Sequence, residues 1–355
     1  MDYDVVIVTL NRPKILSVSI PLILRQEPPP HSLIVVDASN SDVHEQVQHS
    51  VNQAVGDSGV YFEILRSKPN TAHQRNVGME RVRSPIVMFP DDDSLWWPSV
   101  AEAIMRIYEQ DTNDDIGGVC GRETAEPPPG TDIAARAGYE MNKSDHIRQK
   151  LQSIRHKFDY KFCPDPLWIH GQSRWKVRPF PQFLRNIDSA LVEFMGGFRM
   201  SFRTELIRKY GFDEELGKYA GYAAYEDADA SFKILQEKLL VGAHDAHVYH
   251  YKAPNKRANG FELGFILLFN RAYIICRYSP PGSRARRSLK GFGKYKLMQY
   301  LLGMTSRYGR ERVRGTLAAL KSMDELLNCP ADRLREKYLG ICDREINRNS
   351  PDNNE

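Results

Sequence analysis

No stretch of the sequence reaches the about 18 uncharged apolar residues that a helix needs to cross a bilayer. The nearest, "FILLFNRAYIIC", is broken by Asn270 and Arg271, so the chain is not expected to span a membrane. The opening "MDYDVVIVTLNRPK" is too short in its apolar run and too acidic in its flank for a secretory leader. Five cysteines, Cys120, Cys163, Cys276, Cys329 and Cys342, are odd in number and lack CxxC spacing. That argues against a disulfide framework and a zinc site, and fits a reducing, cytoplasmic setting. The loop after the first apolar run, "TLNRPK", has no glycine and hence no GxGxxG cradle, which counts against a dinucleotide-binding Rossmann domain. Internal repeats and low-complexity tracts are missing as well.

What is present is an ordinary globular composition, 41% hydrophobic and 26% charged over 355 residues, with room for one large or two modest domains. The net charge of +4 hides an asymmetry: residues 252–321 hold sixteen Lys and Arg against two acids, Glu262 and Glu311. The remainder is therefore acidic. A basic stripe of this kind attracts lipid headgroups, nucleic-acid phosphate or a phosphorylated substrate.

Over the first 120 residues, short β-branched runs (Val5–Leu10, Leu33–Val36, Tyr61–Leu65, Ile86–Phe89, Ile116–Cys120) alternate with helical periodicity (Pro13–Gln26, Asp42–Val55, Thr71–Val82, Pro98–Glu109). The alternation predicts an α/β fold, a mostly parallel sheet flanked by helices. Ligands of such sheets bind at the carboxyl ends of the strands. Thr9 to Arg12, Asp37 to Ser39 and Asp91 to Asp93 would share that edge. Residues 123–190, in which "EPPPG" marks a break, read as an insertion or accessory lobe, and 191–250 as a second half of the same domain. Residues 251–355 read as a basic helical extension with helical stretches at Glu262–Tyr278 and Leu289–Met323.

Three constellations could carry chemistry. "FPDDDSL" places three carboxylates at a strand end, where they repel one another unless a cation or solvent intervenes. Hard cations such as Mg²⁺ and Mn²⁺ prefer such oxygens. Strand alternation pairs Asp91 with Asp93 and turns Asp92 away, which makes Asp92 the most dispensable of the three. "YEDADASFKI" puts Glu226, Asp227 and Asp229 in the first turn of a helix, where the dipole alone would favour acids but a general base could also sit. "GAHDAHVYHY" offers His247 and His250 on opposite faces of a strand, either of which could complete a metal shell.

Read together and in order, "VVIVTLNRP", "IVVDASNSD", "AHQRNVGMERV", "IVMFPDDDS", "GGFRMSFRTELIRKYGFDEEL" and "YEDADASFKI" resemble glycosyltransferase family two, of the GT-A fold. The resemblance covers Asp4 to about Leu235. It implies a GT-A domain over 1–250, with the nucleotide-sugar half in 1–120. It also implies that Thr9, Asn11, Arg12, Asp37, Arg75, Asp91 and Asp92 face the nucleotide-sugar. Asp91 and Asp93, with His250 or else His247, would hold Mn²⁺ or Mg²⁺; Gly196, Gly197 and Glu226 would lie at the acceptor, and Asp227 would be the catalytic base. Ala38 stands where a second acid is common, and 123–190 matches no part of the family's pattern.

The expected reaction is transfer of a single sugar, UDP-linked in the first instance, to a saccharide or lipid-linked acceptor, since the Q-x-x-R-W block and membrane helices of processive synthases are missing. The expected setting is cytoplasmic, peripheral on the inner face of an anionic membrane through 252–321. Phe265, Ile266, Leu268, Phe269 and "RARRSLKGFGKYK" would rest on the bilayer. Two other classes compete: a sugar-phosphate nucleotidyltransferase, disfavoured by the glycine-free first loop, and a basic nucleic-acid-binding module, disfavoured by the ordered carboxylates.

Overall fold

The computed structural model describes residues 1–131, 163, 165–168, 179–219, 221–252, 259–301 and 304–349. Most of the stretch 123–190 expected to form an accessory lobe lies outside them. Of the described residues, those within 1–140, 174–213 and 226–255 form one compact unit; those within 141–173, 214–225 and 256–355 form another.

The first unit is built on a nine-stranded sheet: β1 (Tyr3–Thr9), β2 (Ser32–Asp37), β3 (Tyr61–Arg66), β4 (Ile86–Pro90), β5 (Ser94–Trp96), β6 (Ile116–Thr124), β7 (Ser189–Leu191), β8 (Arg199–Arg203) and β9 (Leu239–His250). The order is β3-β2-β1-β4-β8-β6-β9-β5, with β7 on β9. Helices α1 (Pro13–Leu24), α2 (Ser41–Val55) and α3 (Thr71–Met79) connect β1 to β4, and α4 (Val100–Gln110) lies between β5 and β6. Helices α5 (Thr204–Tyr210) and α6 (Glu226–Leu235) precede β9. β1, β2 and β4 are buried throughout and apolar except near their ends, where Asp4, Thr9, Ser32 and Asp37 stand, as strands covered on both faces must be. β3, at the edge, alternates little and stays half-exposed.

The expectation of a mostly parallel sheet holds only for its first half. β1 to β4 are parallel, because a helix returns the chain to the same end each time. β8 then runs antiparallel between β4 and β6, and β5 and β7 run antiparallel to β9, so the second half is mixed. Asp4, fully buried at the start of β1, ties these first strands together. Its carboxylate accepts from Ser32 Oγ (2.8 Å), Ser84 Oγ (2.9 Å) and the backbone N–H groups of Arg83 (2.7 Å) and Ser84 (2.8 Å).

The second unit is helical: α7 (Gly260–Tyr278), α8 (Arg284–Leu301), α9 (Arg307–Leu327) and α10 (Leu334–Arg348). The basic stretch read as one helix over Leu289–Met323 is two, and α9 starts where Ser306 Oγ accepts from Gly309 N–H at 3.0 Å. Phe265, Ile266, Leu268 and Phe269, expected on a bilayer, are buried in this unit instead. Asn270, which broke the apolar run, is buried too: its amide donates to the carbonyls of Leu216 and Ala224, and its Oδ1 accepts from Tyr338 OH at 2.8 Å. No helix among the described residues is long and apolar enough to cross a membrane.

α7 and α9 touch backbone to backbone. A Cβ on Gly264 would meet Arg312 O at 2.1 Å, and one on Gly315 would meet Phe261 O at 2.0 Å. Thr316 Oγ1 bonds Gly264 O across the seam at 3.1 Å. Gly264→Ala is therefore expected to cost about 1–3 kcal/mol through forced separation of the helices. Gly291 on α8 has open space where its Cβ would stand, and Gly291→Ala should be neutral or stabilising by up to about 1 kcal/mol. Urea melts of the two variants check the contrast; equal stabilities would refute the close-packed seam.

Candidate active site

The register of the parallel strands sets Thr9 beside Asp37, and an isolated bridge sets Val8 beside Asp91. Three strand ends thus stand abreast. Gln74 stitches two of them, its amide donating to Thr9 O (3.0 Å) and Val36 O (2.9 Å). Beyond β1 the chain turns through Asn11, whose φ of 56° lies in the left-handed region that Asn tolerates. Its N–H donates to Ser39 Oγ (2.7 Å) and its Oδ1 accepts from Asn40 N–H (3.2 Å), joining the first two loops. Asp37 is fully buried: Oδ1 accepts from Ser39 N–H (2.8 Å), and Oδ2 is engaged by His44 (2.6 Å) and Arg66 (3.1 Å).

Each carboxylate of the triple aspartate meets a basic partner. Arg75 Nη2 lies 3.1 Å from Asp91 Oδ1, and Arg12 Nη1 bridges Asp92 Oδ1 (2.7 Å) and Asp93 Oδ2 (3.1 Å). His250 Nε2 is 3.2 Å from Asp93 Oδ1. The repulsion evident in the sequence is thus already reduced by two guanidinium groups. Asp92 is not the outward, dispensable member: it is buried, and Thr9 Oγ1 also donates to its Oδ2 at 2.8 Å. Removing it would leave the Arg12 charge and the Thr9 hydroxyl short of a buried acceptor.

Asp91, Asp93 and His250 can present ligand atoms all within 4.8 Å of one another. Two hard carboxylates and an imidazole suit a divalent cation. His250 reaches this point because β5 pairs with β9 at Ser94 and His250, and its ring stacks on Phe198 at 4.5 Å. Burial pulls its pKa down, but the hydrogen bond and charge of Asp93, with Asp91, outweigh that and raise it. His247 is elsewhere, edge-on to Trp97 at 5.7 Å. The period-2 alternation of the strand separates the two histidines.

Arg75, fully buried on α3, links the triple aspartate to the acids that open α6. Its Nη1 pairs with Glu226 Oε1, and its Nη2 also reaches Gly197 O at 3.4 Å. Gly197 leaves little room here: a Cβ would stand 3.0 Å from Arg75 Nη2, so the guanidinium would have to shift by a few tenths of an ångström. The Gly197 N–H donates to Asp227 Oδ2 (2.8 Å), and the Ala228 N–H to Asp227 Oδ1 (2.8 Å). Burial pushes the Glu226 carboxyl up, to about 8, against the pull of Arg75. Burial raises Asp227 as well, Arg75 and the two backbone donors opposing it and Asp91 adding to it. A carboxylate above its usual range is a better proton acceptor near neutral pH.

Every site residue expected from the sequence lies in the first unit, and all but His247 and Gly196 take part in the strand-end contacts above. Four more were not foreseen: His44 and Arg66 on Asp37, Phe198 on His250, and Ser231. The Ser231 hydroxyl accepts from Met195 N–H (3.1 Å) and donates to Asp227 O (2.7 Å), which fastens the Gly-Gly segment to α6. The spacing of Ser231, one helical turn past Asp227, was the available signal.

The sequence pattern of Glycosyl transferase family 2 matches residues 4–210. No curated protein sequence shows significant similarity to the chain. Among solved structures, residues 1–349 of S. aureus TarS in complex with UDP-GlcNAc resemble it at 12% identity and a TM-score of 0.53, over 96% of this chain and 89% of that one. The chain spans 54% of the longer TarS structure, which matches at a TM-score of 0.47 and 12% identity. The mannosyltransferase PcManGT from Pyrobaculum calidifontis, in complex with GDP-Man and Mn²⁺, matches at 13% identity and a TM-score of 0.46, over 96% of this chain and 80% of that one. The family match spans more than half of the chain, from β1 through the triple aspartate to α5, and sets aside the nucleotidyltransferase reading. The chain belongs to glycosyl transferase family 2 and has the GT-A fold.

Proposed function

We propose that the protein transfers a single sugar from a nucleotide-sugar, a UDP-sugar in the first instance, to an acceptor hydroxyl with inversion at the anomeric carbon. The acceptor would be a saccharide or lipid-linked saccharide of polysaccharide, lipopolysaccharide or glycolipid synthesis. The observation that carries this reading is the joint geometry of the Asp91, Asp93 and His250 cluster with Asp227, connected through Arg75. The fold-level likeness to a structure holding UDP-GlcNAc supports the choice of donor.

Asp91, Asp93 and His250 would hold the cation, and the imidazole favours Mn²⁺ over Mg²⁺. Bound there, it supplies Lewis-acid stabilisation of the negative charge that builds on the departing diphosphate. The protein's own groups do the rest. Thr9, Asn11, Arg12, Asp37, Asp92 and Arg75 shape and charge the strand-end edge that takes the nucleotide. Gly196, Gly197 and Glu226 border the acceptor. Asp227 takes the hydroxyl proton as the acceptor oxygen bonds to the anomeric carbon and the bond from that carbon to the diphosphate oxygen breaks. Its orientation is held by the Gly197 and Ala228 N–H groups.

A screen of UDP-, GDP- and dTDP-sugars with Mn²⁺ or Mg²⁺, read by release of the nucleoside diphosphate, tests the reading; no release from any donor would refute it. The cation site has its own test. Mn²⁺ is expected to raise the melting temperature of the parent and of His247→Gln but not of His250→Gln, and a normal response in His250→Gln would remove that residue from the site.

A further inference from the structure

Eight large apolar side chains are exposed among the described residues, and five of them fall between positions 298 and 317. Met298 (58% exposed) and Leu301 (49%) lie at the end of α8, Met304 (38%) follows it, and Tyr308 (46%) opens α9. One end of a helical hairpin thus keeps its apolar groups in water. Met298 and Leu301 continue a single stripe along α8. Arg287, Lys290, Lys294, Met298 and Leu301 recur at spacings of three and four and are all exposed, while Leu289 and Phe292 on the other side are buried. The stripe is cationic for its first turns and apolar at its tip. Arg307 and Arg310 add exposed cations just past the tip.

We infer that this end of the α8–α9 hairpin docks on an anionic lipid bilayer. Met298, Leu301, Met304 and Tyr308 enter the boundary between headgroups and acyl chains, and Arg287, Lys294, Arg307 and Arg310 meet the lipid phosphates. A solvated basic face would account for the cations but not for apolar side chains gathered at its tip, whereas cations flanking exposed apolar groups complement both layers of an anionic leaflet. The surface differs from the one expected from the sequence, since Phe265, Ile266, Leu268 and Phe269 are core. The inference stands apart from the transfer reaction, because all of its residues lie in the helical unit.

Co-sedimentation of the full chain with phosphatidylcholine vesicles, with and without phosphatidylglycerol, tests it at low and high salt. Binding is expected only to vesicles with phosphatidylglycerol, weakening as salt rises. Met298→Ser together with Leu301→Ser should lower partitioning at least about tenfold. Arg287→Ala and Lys294→Ala should each lower it about fivefold at low salt. The replaced side chains are exposed, so melting temperature and nucleoside diphosphate release should stay at parent levels. Failure of vesicle binding in a protein that still turns over donor would overturn the docking surface alone. Three other outcomes would also overturn it: unchanged binding by the Met298→Ser, Leu301→Ser protein, a concentration-dependent dimer that this pair abolishes, or tight duplex-DNA binding that displaces the vesicles.

Discussion

Asp227→Asn is expected to reduce sugar transfer by about 10²–10⁴ while donor and cation binding persist, the loss typical of removing a general base. Because the interaction with the acceptor proton exists only as the bond forms, kcat and kcat/KM should fall together. The pH profile adds a separate readout. The base must be deprotonated, so activity should fall as pH drops through its pKa. Burial raises that pKa, which puts the acidic limb above the ordinary aspartate range, and the limb should vanish in Asp227→Asn. Some stability will go too, about 1–3 kcal/mol, because an amide turns its NH₂ toward one of the two backbone N–H groups that the carboxylate now satisfies. Transfer at parent rate in this variant would sink the assignment.

The second large effect belongs to Arg75. Its guanidinium is fully buried and faces Asp91, Glu226 and the Gly197 carbonyl; burial pulls its pKa down, but the charges of Glu226, Asp91 and Asp227 outweigh that and raise it. Arg75→Met would leave Glu226, buried, and Asp91, partly exposed, without their guanidinium partner, and a loss of about 3–5 kcal/mol is expected in a urea melt. Arg75→Lys should recover only part of this, since a single ammonium cannot span the acceptors that a planar fork reaches. Mn²⁺ should partly restore the Met variant by neutralising Asp91. A loss below about 1 kcal/mol in Arg75→Met would mean that the acids are relieved by water or by protons rather than by Arg75.

β1, β2 and β4 were legible because a strand buried on both faces must be mostly apolar, and their carboxyl ends followed from the alternation with helices. The order of the acidic and glycine blocks sufficed for the family, and hence for Asp91, Asp93 and Asp227 as candidates. The antiparallel entry of β8 between β4 and β6 was not legible. Strand direction depends on how the chain travels between strands, which local periodicity does not encode.

By itself, then, the sequence determined the α/β class, the edge of the sheet on which chemistry could occur, the family, and the basic character of the C-terminal region. Only the tertiary structure decided among residues of equal local merit. It set His250 beside Asp93 and His247 against Trp97 through strand alternation, and it turned Asp92 from a spare charge into a buried acceptor for Arg12 and Thr9. It also moved the candidate membrane surface from Phe265 and Phe269 to Met298 and Leu301. The physical reason is the same in each case. Burial and the distance between charges far apart in the chain determine whether a carboxylate needs a cation and whether an apolar side chain meets water, and neither exists until the chain has folded.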